Sequence, residues 1–210
     1  MIVIGIAGGV ASGKSLVSEQ LRDFGATILD ADHAGHEVLL ESAVIEALTA
    51  RWGDGVLDDG GQMSRSKIAD IVFAAAPNGP RELEFLESIS HPRIGRRLQD
   101  QAMQMEREGK VKAVVLDAAV MFKAGWDRFC EKIIFVDAPR DVRLTRAKTR
   151  GWSEAEFTAR ESRQESLDLK RGRSHIIIDN SGEAGATIEQ LKHFWQSLGF
   201  SIDENSGNSN

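Results

Sequence analysis

The sequence predicts an α/β fold in which a five-stranded parallel sheet lies between two layers of helices. Short apolar runs rich in Val and Ile recur along the chain, and stretches with helical spacing separate them. Each run ends at a glycine or a carboxylate, at the edge where open α/β sheets bind ligands. Strands that alternate with helices in this way form a parallel sheet covered on both faces.

The first element is a strand predicted over residues 2–7, an apolar, β-branched run that ends at a glycine. A helix is predicted over residues 14–24, where Val17, Leu21 and Phe24 recur at helical spacing. The other predicted strands cover residues 26–32, 113–117, 132–137 and 175–179.

Between the second and third strands lies a stretch of helical character, residues 33–109, which is too long for a simple crossover. We therefore predict a helical insertion, with breaks at residues 53–61, 77–80 and 91–92. One domain is predicted over residues 1–200. The polar residues 201–210 are predicted to be a disordered tail.

The charge of the chain is unevenly distributed. The net charge is −6, which argues against a nucleic-acid partner. Residues 140–173, however, hold ten Lys and Arg against six Asp and Glu, a local charge of +4, so that the remainder carries −10. This segment is predicted to meet anions. The single cysteine, Cys130, excludes an internal disulfide, and no membrane-spanning run is present, so we expect a cytoplasmic protein.

The segment after the first strand, GGVASGKS, fits the phosphate-binding pattern G-x-x-x-x-G-K-[ST]. Placed between a strand and a helix, its backbone N–H groups and the helix dipole face one anion. Lys14 is then expected at the β- and γ-phosphates of a nucleotide and the Ser15 hydroxyl at Mg²⁺. The alternative is a glycine turn with no ligand. The predicted loop consists of Gly8, Gly9, Val10, Ala11, Ser12, Gly13, Lys14 and Ser15.

Two carboxylates, Asp30 and Asp32, follow the second strand at the ligand-binding edge of the predicted sheet. A carboxylate there can accept the proton of a hydroxyl group that attacks the γ-phosphorus of a nucleotide. Asp32 is the favoured candidate. The alternative is that Asp32 caps a helix that begins near His33, because Asp is a common N-cap residue.

Several motifs together resemble the dephospho-coenzyme A kinases, in the order and at the spacing of that family. The resemblance covers residues 1 to about 200. The DAD element and the Arg-x-x-x-Gln pair ahead of IIIDNSG are more particular to the family than the glycine loop. The matching stretches are GGVASGKS, LDADHAGHEVL, HPRI, LDAAVMF and RESRQESLDLKRGRSHIIIDNSG.

The resemblance implies a three-layer P-loop kinase fold with a helical acceptor-binding insertion, residues 33–109, and a basic helical lid within residues 140–173. It implies transfer of the γ-phosphoryl group of ATP, with Mg²⁺, to the 3′-hydroxyl of dephospho-CoA, with Asp32 as the base. The expected state is a monomer or a weak homo-oligomer. The lid residues that the resemblance places at the triphosphate are Arg146, Arg150, Arg160 and Gln164.

The chain departs from the common family pattern in the predicted acceptor wall and behind the lid. Ala119 stands where proline is common, Lys123 where an acidic residue is common, and residues 174–175 read Ser-His in place of Ala-Asp. Two alternatives therefore stay open: a kinase of another small acceptor, such as a nucleoside or a nucleoside monophosphate, and a nucleotide-gated module without catalysis. Asp117 is retained, and it either binds Mg²⁺ through water or caps a strand end.

Overall fold

A computed structural model describes residues 1–202 of the chain, and its five strands form one parallel sheet. The first strand lies at the centre, and the spatial order is β2-β3-β1-β4-β5. The predicted five-stranded parallel sheet is confirmed. The strands are β1 (Ile2–Gly8), β2 (Thr27–Leu29), β3 (Ala113–Asp117), β4 (Lys132–Asp137) and β5 (Ile176–Asp179).

The register of the sheet brings the carboxyl ends of the strands together. Ile6 of β1 pairs with Asp117 at the end of β3, and Gly8 pairs with Val136 near the end of β4. The loops that follow β1 and β3 therefore start from one edge of the sheet, which is the edge where ligands bind in open α/β folds.

Apolar residues pack against both faces of β1. Ile4 and Ile6 pack in one apolar cluster with residues of α1 (Lys14–Asp23) and α9 (Ala184–Ser197). Gly5 faces the other way, because side chains alternate along a strand. A Cβ atom at Gly5 would lie 2.6 Å from the Met121 sulfur, so a larger residue there would require the Met121 side chain to shift.

The chain divides into two units, one formed by Met1–Leu29 with the chain from Ala102 onward, and one formed by Asp30–Gln101. The second unit is helical, as expected for the insertion. The single domain predicted over residues 1–200 stays a prediction. The helices that begin in this unit are α2 (Ala31–Val38), α3 (Ser42–Trp52), α4 (Arg65–Val72) and α5 (Asn78–Glu108), and the last of them continues into the first unit.

The predicted break at residues 91–92 is wrong, because α5 continues through Pro92. Proline removes a backbone donor and opens the preceding turn of a helix. Two side chains near the proline donate to backbone oxygens of the same helix. The Arg93 guanidinium donates to the Ile89 carbonyl oxygen (2.8 Å), and the Ser90 hydroxyl donates to the Leu86 carbonyl oxygen (2.8 Å).

Three short helices form the basic segment, and a turn leads from them into β5.

Within residues 1–202 no helix is both long and apolar enough to cross a membrane. Of the predicted tail, Ser201 accepts a hydrogen bond from Trp195 and Ile202 packs against the core, while residues 203–210 lie outside the described part. The three helices of the basic segment are α6 (Arg140–Thr149), α7 (Glu154–Ser162) and α8 (Leu167–Gly172).

Candidate active site

The glycine loop, residues 8–15, joins β1 to α1 as predicted. Ala11 and Gly13 have left-handed backbone conformations, with φ of 59° and 99°. Gly13 is the N-cap of α1, and no side chain among residues 1–202 caps this helix. The first backbone N–H groups of α1 therefore remain available to an anion, and the helix dipole favours negative charge at the same place.

Three side chains from later in the chain hold the loop from outside. Asn180, directly after β5, donates to the Ser12 carbonyl oxygen (2.7 Å) and accepts from the Thr187 hydroxyl (2.9 Å). Arg146 of α6 donates to the same Ser12 oxygen (3.2 Å). A Cβ atom at Gly13 would collide with the Asn180 amide, so both the left-handed backbone and the close packing require glycine there.

The third side chain is the buried Arg143 of α6, which connects the loop to α7. Its guanidinium donates to the carbonyl oxygens of Val10 (3.4 Å) and Ala138 (3.1 Å) and forms an ion pair with Glu161 of α7 (2.7 Å). Burial raises the pKa of Glu161, but its ion pairs with Arg143 and Arg140 outweigh burial and lower it overall. The pair is therefore charged at neutral pH and ties α7 to α6.

Lys14 lies half-buried at the start of α1. Burial lowers the pKa of its ammonium group, the carboxylate of Asp117 opposes that shift, and the positive charge of Arg150 adds to it. The lowering is caused mainly by burial, and the Asp117 carboxylate opposes it more strongly than the Arg150 charge adds to it. An anionic phosphate beside the ammonium group would favour its charged form and offset the cost of its burial.

The two residues predicted to bind metal, Ser15 and Asp117, are linked through Ser18. The Ser18 hydroxyl lies 3.2 Å from the Asp117 carboxylate and 3.2 Å from the Ser15 carbonyl oxygen. No group of three or more His, Cys, Asp and Glu side chains within residues 1–202 is placed to hold a metal ion. One hydroxyl and one carboxylate nevertheless fit Mg²⁺, which takes oxygen ligands and shares its shell with substrate phosphates.

The four predicted lid residues have different surroundings. Arg146 and Arg150 lie near the loop, the first by its hydrogen bond to Ser12 and the second by its effect on Lys14. The Arg160 guanidinium stacks over the Trp152 ring, 4.3 Å from its centroid. Within the described residues, the side chains of Arg160 and Gln164 form no hydrogen bond or ion pair with the loop.

Asp32 lies in the helical unit, in the first turn of α2, with its carboxylate exposed. The N-cap of α2 is Asp30, whose carboxylate accepts from the His33 backbone N–H (2.7 Å). The alternative that Asp32 caps this helix is therefore wrong, because Asp30 does so. Within residues 1–202 the Asp32 carboxylate has no hydrogen-bond or ion-pair partner, which leaves it accessible to an incoming group.

A small cavity opens beside Lys14, and Lys170 of α8 lines it. Sequence reasoning missed Lys170, Asn180 and Arg143 as site residues. Asn180 stood within the IIIDNSG motif and the two cations within the basic segment, but no local pattern distinguished them from their neighbours. The cavity is lined by Ile6, Ala7, Gly8, Lys14, Ala118, Ala119, Met121, Phe122 and Lys170.

Two of the departures from the family pattern have a structural role. Ala119 lines the cavity beside Lys14. His175 extends the pairing of β5 with β4: its backbone N–H donates to the Ile133 carbonyl oxygen (2.9 Å), and its Nδ1 accepts from the Ile133 N–H (3.0 Å). A histidine can therefore replace the usual residue at this position without loss of the sheet edge.

Comparison with known proteins identifies the family. The sequence profile described as dephospho-CoA kinase, CoaE, matches residues 2–185. The dephospho-CoA kinase of Symbiobacterium thermophilum is 37% identical over 93% of this chain and 81% of its own, and that of Moorella thermoacetica is 34% identical over 94% and 92%. The crystal structure of TT1252 from Thermus thermophilus superposes with a TM-score of 0.73 at 30% identity, covering 94% of this chain and 97% of that one.

These relatives cover nearly the whole chain, including the glycine loop and the basic segment. They confirm the predicted P-loop kinase fold and do not favour the alternatives of another acceptor or of a non-catalytic module. The chain belongs to the dephospho-CoA kinase family.

Proposed function

We propose that this chain transfers the γ-phosphoryl group of ATP to the 3′-hydroxyl of dephospho-CoA, the last step of coenzyme A synthesis, through the glycine loop, the lid arginines and Asp32. The observation that carries the proposal is the half-buried ammonium group of Lys14, at the end of a glycine loop held in place by Asn180 and Arg146. Phosphoryl transfer depends mainly on positioning and charge stabilisation, and these residues provide both.

On the nucleotide side, the backbone of residues 8–15 binds the phosphates and Lys14 neutralises their charge. Arg146 and Arg150 stabilise the charge that develops on the γ-phosphoryl group during transfer. Arg160 and Gln164 are proposed to reach the triphosphate as well. For Arg160 this requires that its guanidinium leaves the Trp152 ring when the lid closes.

Ser15 and Asp117 are proposed to hold Mg²⁺ together with the ATP phosphates. When bound, the ion neutralises phosphate charge. Ser18 keeps the Asp117 carboxylate close to the first turn of α1 through the shared hydroxyl contact. Loss of Mg²⁺-dependent ATP binding in Asp117→Asn, measured by calorimetry with and without the metal, is the expected result.

On the acceptor side, Asp32 is proposed to accept the proton of the 3′-hydroxyl as its oxygen bonds to the γ-phosphorus. The carboxylate is exposed and has no partner within the described residues, so nothing needs to be displaced before it can bind the hydroxyl. The expected cytoplasmic location and the expected monomer or weak homo-oligomer stay predictions.

The direct test is a coupled ADP-release assay with dephospho-CoA beside a panel of nucleosides and nucleoside monophosphates. We expect ATP-dependent turnover with dephospho-CoA and turnover at least about 10²-fold lower with the other acceptors, because a positioned acceptor gains most of its rate from orientation. Comparable turnover with a nucleoside monophosphate would overturn the proposed acceptor. Hydrolysis of ATP without any acceptor effect would overturn transfer itself.

A further inference from the structure

Lys170 is a cation in the basic segment to which the mechanism above assigns no role. It lies on α8, and only 3% of its surface is exposed. Its side chain lines the cavity that Lys14 also lines, together with Gly8 of the loop and the segment after β3. Lysine is rarely buried to this degree unless a carboxylate or another anion accompanies it.

No ion pair accompanies Lys170 within residues 1–202. Burial lowers the pKa of its ammonium group, the positive charge of Lys14 lowers it further, and Glu165 opposes both effects. Other cations of the same segment are paired: Arg143 with Glu161, and Lys148 with Glu154. The fold thus brings a second, unpaired ammonium group into the cavity beside the P-loop lysine, where an anion is needed to balance the charge.

The walls of the cavity indicate which anion this is. Gly8 and Lys14 belong to the phosphate-binding loop, whereas Ala119 and Phe122 belong to the segment that the sequence places at the acceptor. The phosphoryl group that lies between a phosphate loop and an acceptor wall is the one that is transferred. We infer that Lys170 binds the γ-phosphoryl group of ATP together with Lys14 and stays with it during transfer.

This inference rests on the proposed function. In the transfer step, the bond between the γ-phosphorus and the β–γ bridging oxygen breaks, and a bond between the acceptor oxygen and phosphorus forms. The hydroxyl proton goes to Asp32, and ADP leaves with the bridging oxygen. Lys170 keeps its protons throughout and donates hydrogen bonds to the phosphoryl oxygens, so its contribution is charge and position.

The test is Lys170→Met, which keeps the length of the side chain and removes the charge. ATP affinity, measured by calorimetry without acceptor, is expected to fall by about 10- to 100-fold, the range for a lost hydrogen bond between charged groups. ADP affinity is expected to change by less than about twofold, because ADP lacks the γ-phosphoryl group. Turnover is expected to fall by about 10²-fold.

The melting temperature separates this role from a structural one. Removing an unpaired buried charge does not destabilise the free protein, so Lys170→Met is expected to melt at or above the wild-type temperature. Lys148→Met is the matched control: Lys148 lies in the same segment, is exposed and is paired with Glu154, and its loss is expected to leave both affinities and turnover unchanged. Lys170→Gln serves as a second variant if Lys170→Met does not fold.

Two results would overturn the inference. Equal losses of ATP and ADP affinity would place Lys170 at the α- or β-phosphate, and a lower melting temperature with unchanged ATP affinity would make it a structural residue. The measurements of ATP and ADP affinity need no dephospho-CoA, so they do not depend on the identity of the acceptor. If the wild-type chain failed to phosphorylate dephospho-CoA while Lys170→Met still lost ATP but not ADP affinity, the proposed function would fall and the role of Lys170 would stand.

Discussion

At the scale of single residues, the start of α2 shows how two identical side chains, two positions apart, differ in what they can do. Asp30 accepts the His33 backbone N–H and thereby caps the helix. Asp32 is exposed in the first turn and lacks a partner within residues 1–202. Helix stability therefore depends on the first residue, and the second is free to act on a substrate.

Substitution of these two residues separates stability from chemistry. Asp30→Ala is expected to cost about 1 kcal/mol of unfolding free energy, because a cap is lost. Asp32→Asn is expected to lower turnover by about 10²-fold or more, the range for a positioned acid or base, with little change in melting temperature or ATP affinity. Turnover and thermal unfolding of both variants check this, and full activity in Asp32→Asn would remove Asp32 from the mechanism.

At the scale of elements, helix α6 of the lid contacts the phosphate loop directly, and α7 contacts α6. Arg146 and Arg143 of α6 donate to backbone oxygens of the loop, and Glu161 of α7 pairs with Arg143. A motion of α6 is therefore coupled to the loop, and the lid is expected to influence the transfer step more than the binding of the acceptor.

Arg146→Ala tests this coupling. The catalytic constant is expected to fall by about 10²-fold, whereas the Michaelis constant for dephospho-CoA rises far less, because the charge of Arg146 matters most while the γ-phosphoryl group is in transfer. Arg163→Ala is the control: Arg163 is exposed at the end of α7 and lies outside the proposed site. An effect limited to the Michaelis constant of the acceptor would instead place Arg146 in the acceptor pocket.

Within the helical unit, Glu82 of α5 holds the end of α3. Its carboxylate accepts from Arg51 (2.8 and 2.9 Å) and from the Trp52 indole N–H (2.8 Å). The hydrogen bonds from Arg51 and then from Trp52 lower the pKa of Glu82 from 4.5 to about 2. Since the folded pKa lies below the unfolded one, the stabilisation is complete above pH 4.5 and is lost as the pH falls towards 2.

Glu82→Gln is therefore expected to lower the melting temperature above pH 4.5, and its difference from the wild type is expected to shrink as the pH falls from 4.5 to about 2. Thermal unfolding across this range measures the difference. Glu84→Gln, an exposed substitution on the same helix, is expected to show no such trend. A difference that does not vary with pH would mean that the charge of Glu82 does not stabilise the contact.

At the scale of the whole molecule, the sheet was predictable because buried parallel strands are continuous β-branched runs, and their bounds agree with the structure closely for β3 and β4. Features that depend on contacts between residues distant in sequence were not predictable. The course of α5 through Pro92 is one of them, since the local sequence favours a break at proline and only the packing of the whole helix opposes it. The burial of Lys170 depends on how a six-residue helix lies beside β1, and no local periodicity encodes that.

Ligand binding links the site to the stability of the whole chain. A ligand that binds only the folded state at 100 times its dissociation constant adds about 2.7 kcal/mol, which for a chain of this length corresponds to a rise in melting temperature of about 5–10 °C. We expect ATP with Mg²⁺ to raise the wild-type melting temperature by this amount. Lys14 is the side chain proposed to neutralise the phosphate charge. The rise in melting temperature with ATP is therefore expected to depend on Lys14.

Lys14→Ala is expected to fold and to melt near the wild-type temperature without ATP, because burial already disfavours the charge of Lys14. At the same ATP concentration its melting temperature is expected to rise little or not at all, and its turnover is expected to be abolished. Lys192→Ala, a substitution on the exposed face of α9, is the control and is expected to respond to ATP like the wild type. An undiminished ATP response in Lys14→Ala would show that the glycine loop is held by Asn180 and Arg146 for a purpose other than binding the phosphates of ATP.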